Sequence, residues 1–187
     1  GDVYEGEFKD GEPRGRGEVK LTYPNGEVYE GEFKDGKRNG RGKATYLNGD
    51  LYEGEFKDGK RNGMGKVTSW NGEVYKGEFK DGKRNGRGKA TYSNGDLYEG
   101  EFKDGKRNGM GKMTFWDGDV YEGEFKDGNA HGEGKVTYRN RDVYEGEFVD
   151  LDPHRRGEKR VKTRRGHRGG NKKTRVKLDD ALEDCLL

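Results

Sequence analysis

The chain has 187 residues, with hydrophobic residues at 26% and charged residues at 41%. That balance excludes a thick central core, and no apolar run approaches the roughly 20 residues of a transmembrane helix. Charge is unevenly placed: residues 151–187 hold 12 Lys/Arg against 6 Asp/Glu, while residues 1–150 hold 27 against 31. Composition alone would suit a disordered chain. Order comes instead from recurrence: Tyr29, Tyr52, Tyr75, Tyr98, Tyr121 and Tyr144 are spaced by 23, and Tyr4 precedes Tyr29 by 25. A fixed period of this size marks a repeat architecture, in which each unit buries its apolar side against its neighbours.

The first unit carries Glu12-Pro13-Arg14 in its turn and two extra residues before Tyr23. The second unit is regular. Tyr29-Glu30-Gly31-Glu32-Phe33 alternates with period 2 and reads as a strand, Tyr29, Gly31 and Phe33 on one face, Glu30 and Glu32 on the other. Lys34 to Gly40 reads as a turn through its Asp-Gly and Asn-Gly pairs. Arg41 to Tyr46 reads as the return strand, with Gly42, Ala44 and Tyr46 on the aromatic face and Arg41, Lys43 and Thr45 on the charged one. Asn48-Gly49 then turns into the next hairpin. In the third unit Ser69 stands where an aromatic is expected, followed by Trp70. Residues 29–74 and 75–120 are nearly the same 46-residue text, with Arg41, Met64, Arg87 and Met110 alternating at one position. The unit begun at Tyr144 loses the pattern after Phe148, where Asp152-Pro153 replaces the turn; a last irregular strand fits residues 158–163. Glycine at about every third residue excludes helix throughout the repeats.

The recurring Tyr-x-Gly-x-Phe, Gly-x-Gly and Asn-Gly in register resemble the MORN (membrane occupation and recognition nexus) repeat. The resemblance spans residues 3–149, six full units and the first strand of a seventh. It implies an all-β fold, an elongated single-layer antiparallel meander of hairpins over 1–150. It also implies a non-catalytic scaffold that binds a protein or peptide, with phospholipid binding as the alternative. The expected partner surface is the aromatic, Gly-bearing face: Tyr29, Phe33, Tyr46, Tyr52, Phe56, Tyr75, Phe79, Tyr92, Tyr98, Phe102, Phe115, Tyr121, Phe125 and Tyr138. Contiguous exposed aromatics mark binding surfaces. Near-identity of the units suits a surface that repeats a contact, not one sculpted site.

Beyond the array, residues 151–177 form an irregular basic segment. Residues 155–177 carry 12 basic residues and one acid, Glu158. Arg155, Arg156, Lys159, Arg160, Arg164, Arg165, Arg168, Lys172, Lys173 and Arg175 are the candidate anion or lipid contacts, joined by the Lys-Arg pairs of the repeat turns. Nucleic acid is the third reading for this tail. Leu178–Leu187 reads as a short amphipathic helix, expected to dock on an apolar surface of its own or a sister chain. Exposed sheet ends offer a route to a homodimer. Cys185 is the only cysteine and sits third from the end, out of place for prenylation. His131, His154 and His167 share no metal-ligand spacing, and the KDGKRNG turns put cations where a calcium loop needs oxygens. No cofactor, no metal and no catalytic residue is expected; the expected setting is cytoplasmic, at a membrane or cytoskeletal periphery.

Overall fold

The computed structural model describes residues 15–151 continuously, plus the short segments 3–5, 8–9, 12–13 and 161–162; side chains are described from Val19 to Val149. The basic residues Arg155 to Arg175 and the segment Leu178–Leu187 lie outside the described residues, apart from the backbone of 161–162. The elements are all strands: β1 (Val3–Glu5), β2 (Phe8–Lys9), β3 (Glu12–Pro13), β4 (Gly15–Thr22), β5 (Val28–Lys34), β6 (Lys37–Thr45), β7 (Leu51–Lys57) and β8 (Lys60–Thr68). They continue as β9 (Val74–Lys80), β10 (Lys83–Thr91), β11 (Leu97–Lys103), β12 (Lys106–Thr114), β13 (Val120–Lys126), β14 (Asn129–Thr137), β15 (Val143–Leu151) and β16 (Val161–Lys162). From β4 to β15 each strand pairs antiparallel with the next in chain order, giving one open meander. β1 joins at one end and β16 at the other, while β2 and β3 pair separately. At about 4.8 Å per strand, the row from β4 to β15 runs on the order of 50 Å.

Each hairpin is closed more tightly than the sequence suggests. Lys34 lies opposite Lys37, so the turn is only Asp35-Gly36, and Lys37 already belongs to the return strand. Asp35 (φ 49°) and Gly36 (φ 67°) are both left-handed, as a two-residue type I′ turn requires. The expected turn over residues 34–40 is therefore corrected. Asn39-Gly40 is a bulge inside β6: Gly31 pairs Gly42 but Phe33 pairs Arg38, leaving two extra residues on the return strand. Tyr46, read as the strand's last residue, instead opens the loop, its N–H donating to the Asp50 carbonyl at 2.9 Å. Gly49 donates back to the Tyr46 carbonyl at 2.9 Å, and its φ of 86° completes a three-residue loop.

The bulge explains the tyrosine at the second position of each outgoing strand from β5 to β13. The shift leaves the Glu32 carbonyl outside the regular ladder, and the Tyr29 hydroxyl donates to it at 3.0 Å. The same bond recurs from Tyr52 to Glu55, Tyr75 to Glu78, Tyr98 to Glu101 and Tyr121 to Glu124, at 2.8–3.0 Å. The Glu32 side chain accepts the Arg41 N–H at 3.1 Å, as Glu55 accepts from Met64 and Glu78 from Arg87. Glu32 is thus not a simple surface acid; Glu30 is, with Lys20 at 3.7 Å.

The core is a zigzag of rings. Phe33 meets Tyr29, Tyr29 meets Phe56, Phe56 meets Tyr52, and Tyr52 meets Phe79, all edge-to-face with centroids 4.9–5.2 Å apart. The chain of contacts continues through Tyr75, Phe102, Tyr98, Phe125, Tyr121 and Phe148 to Tyr144. Each such pair contributes about 0.5–1.5 kcal/mol beyond the area it buries. Every hairpin is therefore tied to the next by a Tyr–Phe contact as well as by backbone bonds, which is how a single layer with little apolar content holds together.

Burial pushes the Tyr75 hydroxyl from an ordinary 10.0 up to about 12, and raises Tyr29, Tyr52, Tyr98 and Tyr121 further. Below pH 10 these groups are neutral in both folded and unfolded chains, so their contribution is complete. Above it the unfolded chain ionises first, and stability falls as pH rises. The array is expected to lose its β signal cooperatively above about pH 10, with tyrosinate absorbance rising in the same transition. Absorbance that rises around pH 10 while circular dichroism stays native would contradict the sealed ladder.

Candidate protein-binding surface

The aromatic face is not uniformly available. Tyr29, Phe33, Tyr52, Phe56, Tyr75, Phe79, Tyr98, Phe102, Tyr121 and Phe125 are all buried, none more than 6% exposed. The expectation that these ten rings form a contact surface is corrected: they are the protein's own core, because the tyrosines fill the space left by the glycines opposite and beside them and the phenylalanines pack edge-to-face on the tyrosines. Gly42 and Gly31 face each other under Tyr29; a side chain at Gly42 would collide with the Tyr29 hydroxyl and ring. Tyr46, Tyr92, Phe115 and Tyr138 are placed differently, half-buried at the loop edge and packed on the outside of the ladder.

Arginines roof the ladder. The Arg38 guanidinium lies 4.9 Å from the Tyr23 centroid and 5.0 Å from Tyr29, and Arg84 lies 4.9 Å from Tyr75. Arg61 and Arg107 sit farther from their own tyrosines, 5.7 and 5.8 Å from Tyr52 and Tyr98, and reach the next hairpin. There Arg61 donates to the Gly82 carbonyl at 2.8 Å and Arg107 to Gly128 at 2.6 Å. The alternation follows the strand that carries the arginine: Arg38 and Arg84 share theirs with Ala44 and Ala90, Arg61 and Arg107 with the larger Val67 and Met113. The 46-residue period of the sequence is therefore a period in how the ladder is roofed. Of the turn Lys-Arg pairs, the lysines Lys37, Lys60, Lys83 and Lys106 are exposed, while Arg38, Arg61 and Arg84 are half-buried and Arg107 is buried.

The two long edges of the sheet differ. Along the turn edge, open clefts separate successive hairpins. One of about 750 Å³ is lined by Lys57, Asp58, Asn62, Glu78, Phe79 and Asn85 among others. A second of about 590 Å³, one 46-residue period on, is lined by Lys103, Asp104, Asn108, Glu124, Phe125 and His131 among others. Along the loop edge, Leu47, Trp70 and Trp116 are 71%, 75% and 63% exposed. Trp70 N–H donates to Asp50 and Trp116 N–H to Asp96, so each loop is pinned to the one before it. This edge lies outside the contact surface expected from sequence, although a signal for it exists: Leu47, Trp70 and Trp116 occupy one repeat position.

A sheet of tandem hairpins with a sealed ring ladder and two decorated edges defines a repeat scaffold. The chain belongs to the MORN repeat family: the family's model matches residues 4–28, 29–51, 52–73, 75–97, 98–120 and 121–143. No curated protein sequence matches significantly. Among solved structures, the chain is similar to the TCP domain of SAS-4 (dCPAP) of Drosophila melanogaster in complex with a proline-rich motif of Ana2 (dSTIL). The identity is 13% and the TM-score 0.45, over 68% of this chain and 70% of that one. It is also similar to the wild-type TCP10 domain of Danio rerio CPAP, at 15% identity and TM-score 0.39, over 70% and 73% of the two chains. The same domain in complex with a peptide of Danio rerio STIL aligns at 15% identity and TM-score 0.29, over 79% and 84%. Likenesses with TM-scores this low carry no weight for function.

Proposed function

We propose that the array is a non-catalytic scaffold that binds a partner protein or peptide on the aromatic side of its sheet. The observation that carries this reading is the division of that face into a sealed ladder and an accessible row of half-buried rings. The ladder makes a stiff support, and Tyr46, Tyr92, Phe115 and Tyr138, half-buried at its loop edge, are the proposed anchors for a partner. Half-exposed rings on a rigid base bind at low entropic cost, because two torsions fix each side chain.

Ser69 occupies the same repeat position, so serine is compatible with the loop there. Panning a random peptide library against the chain and against the triple variant Tyr46→Ser, Tyr92→Ser, Tyr138→Ser tests the reading. Peptides that bind the first and lose about tenfold or more on the second support it. Peptides indifferent to the triple variant, or no enrichment at all, overturn it.

A second reading draws on the twelve cations against one acid in residues 155–177. It places anionic phospholipid on Arg155, Arg156, Lys159, Arg160, Arg164, Arg165, Arg168, Lys172, Lys173 and Arg175. Co-sedimentation with phosphatidylserine vesicles, with and without residues 155–187, tests it. Binding should vanish without the tail and fall steeply with salt, since screening shortens from about 10 Å at 0.1 M to about 3 Å at 1 M.

A further inference from the structure

The face opposite the rings carries one break in an otherwise alternating row of charges. Across neighbouring strands the register runs Lys20, Glu30, Lys43, Glu53, Lys66 on one side and Lys89, Glu99, Lys112, Glu122, Lys135, Glu145 on the other. Between these halves stands Lys76, paired with Lys66 on β8 and with Lys89 on β10. Every other described unit has Glu at that position: Glu30, Glu53, Glu99, Glu122 and Glu145. Three lysines therefore sit side by side at the middle of the array. Of the nearby acids, Glu53 is paired with Lys43 at 3.6 Å and Glu99 with Lys89 at 2.5 Å, while Glu78, opposite Met64, accepts the Arg87 backbone N–H at 3.0 Å.

Like charges directly opposite one another destabilise a sheet, and a glutamate here would complete the alternation. Stability alone therefore leaves the lysine at this position unexplained. From the juxtaposition of Lys66, Lys76 and Lys89 beside exposed Met64, we infer a second docking surface, on the charged face, for an acidic amphipathic helix of a partner protein. The three lysines stand on neighbouring strands, about 4.8 Å apart, with the Lys89 ammonium also in contact with Glu99. Carboxylates three and four residues apart on a helix lie about 5–6 Å apart, a spacing that flexible lysines match. Met64, 57% exposed, is one rank away on the same face and offers the apolar contact. Arg87, exposed on β10 two residues from Lys89, is a further cation at the margin of this cluster, opposite Glu101. This surface is independent of the aromatic side.

The test uses the full chain and a fluorescein-labelled helical peptide of Glu, Ala and Leu, with glutamates at every fourth position and leucines flanking them. Lys76→Glu is expected to weaken binding about tenfold, and Lys66→Gln about threefold. Lys126→Glu makes the same net-charge change at the turn edge and should change affinity less than about twofold. Lys76→Glu should also raise the melting temperature, since it restores the alternating row. Equal losses for Lys76→Glu and Lys126→Glu would show binding by overall charge or by the basic tail, and overturn the inference. Loss of binding to phosphatidylserine vesicles with the peptide affinity unchanged would overturn it too, assigning the patch to lipid.

Discussion

Phe79→Ala should cut the array in two. Phe79 meets both Tyr52 and Tyr75, at 5.2 and 5.1 Å, and it is 4% exposed. Removing it deletes two edge-to-face contacts and leaves a void between the two tyrosines and the Arg61 roof, whose guanidinium lies 5.4 Å from the ring. Phe→Ala in a packed core costs about 3–5 kcal/mol. In a globular domain that loss would lower one midpoint. In a linear array each hairpin touches only its neighbours, so the loss falls on the β9–β10 hairpin and its interface with the β7–β8 hairpin. Urea unfolding followed by circular dichroism is expected to change from one transition to two, the halves before and after β9 melting separately. Glu30→Ala, at an exposed ion pair, should stay within about 0.5 kcal/mol of the parent. A single unfolding transition at an unchanged midpoint for Phe79→Ala would show that backbone pairing alone couples the hairpins.

Gly77→Val should be comparably damaging for the opposite reason. A Cβ at Gly77 would lie 2.6 Å from the Arg87 carbonyl, 2.6 Å from the Gly88 Cα and 2.6 Å from the Tyr75 hydroxyl. Two of these are backbone atoms of the neighbouring strand, so the clash cannot be relieved by turning a side chain. Overpacking of this kind costs about 3 kcal/mol, and it also moves the hydroxyl that serves the Glu78 carbonyl. Glu78→Gln keeps an oxygen for the Arg87 N–H and should cost less than about 1 kcal/mol. Gly72→Ala separates space from conformation. Gly72 has φ 86°, and a methyl added there would meet nothing within 4 Å, so only backbone strain of about 1 kcal/mol is expected. Thermal midpoints ordered Gly77→Val lowest, Gly72→Ala next and Glu78→Gln highest or level with it would agree with this geometry; a Glu78→Gln midpoint at or below that of Gly77→Val would refute it.

Much of the architecture was legible in the chain because period and alternation are local properties. A tyrosine every 23 residues, followed by Gly at two and Phe at four, fixes a strand with one aromatic and one charged face. The Asp-Gly pair marks the turn because only left-handed positions suit a two-residue hairpin. Asn39-Gly40 carries the same local chemistry, yet it ends as a bulge. Sequence alone could not distinguish a second turn from a bulge, since the difference lies in whether Lys37 pairs Lys34 across the hairpin.

What the chain by itself determined is the repeat, its two faces and the family to which it belongs, because each unit repeats the same residues at the same spacing. The tertiary structure decided which aromatics are buried in the ladder and which are half-buried at the loop edge. Tyr29 and Tyr46 look alike in sequence and share a face, but Tyr29 is sealed by Phe33, Phe56 and Arg38, whereas Tyr46 is half-buried at the loop edge with Arg61 at 5.9 Å from its ring. It also decided the meaning of Lys76. One Glu-to-Lys change is ordinary in a chain of 76 charged side chains, 39 basic and 37 acidic, until register sets it between Lys66 and Lys89. Charge acts across strands, at about 4.8 Å, and residues 66, 76 and 89 become neighbours only when the hairpins close.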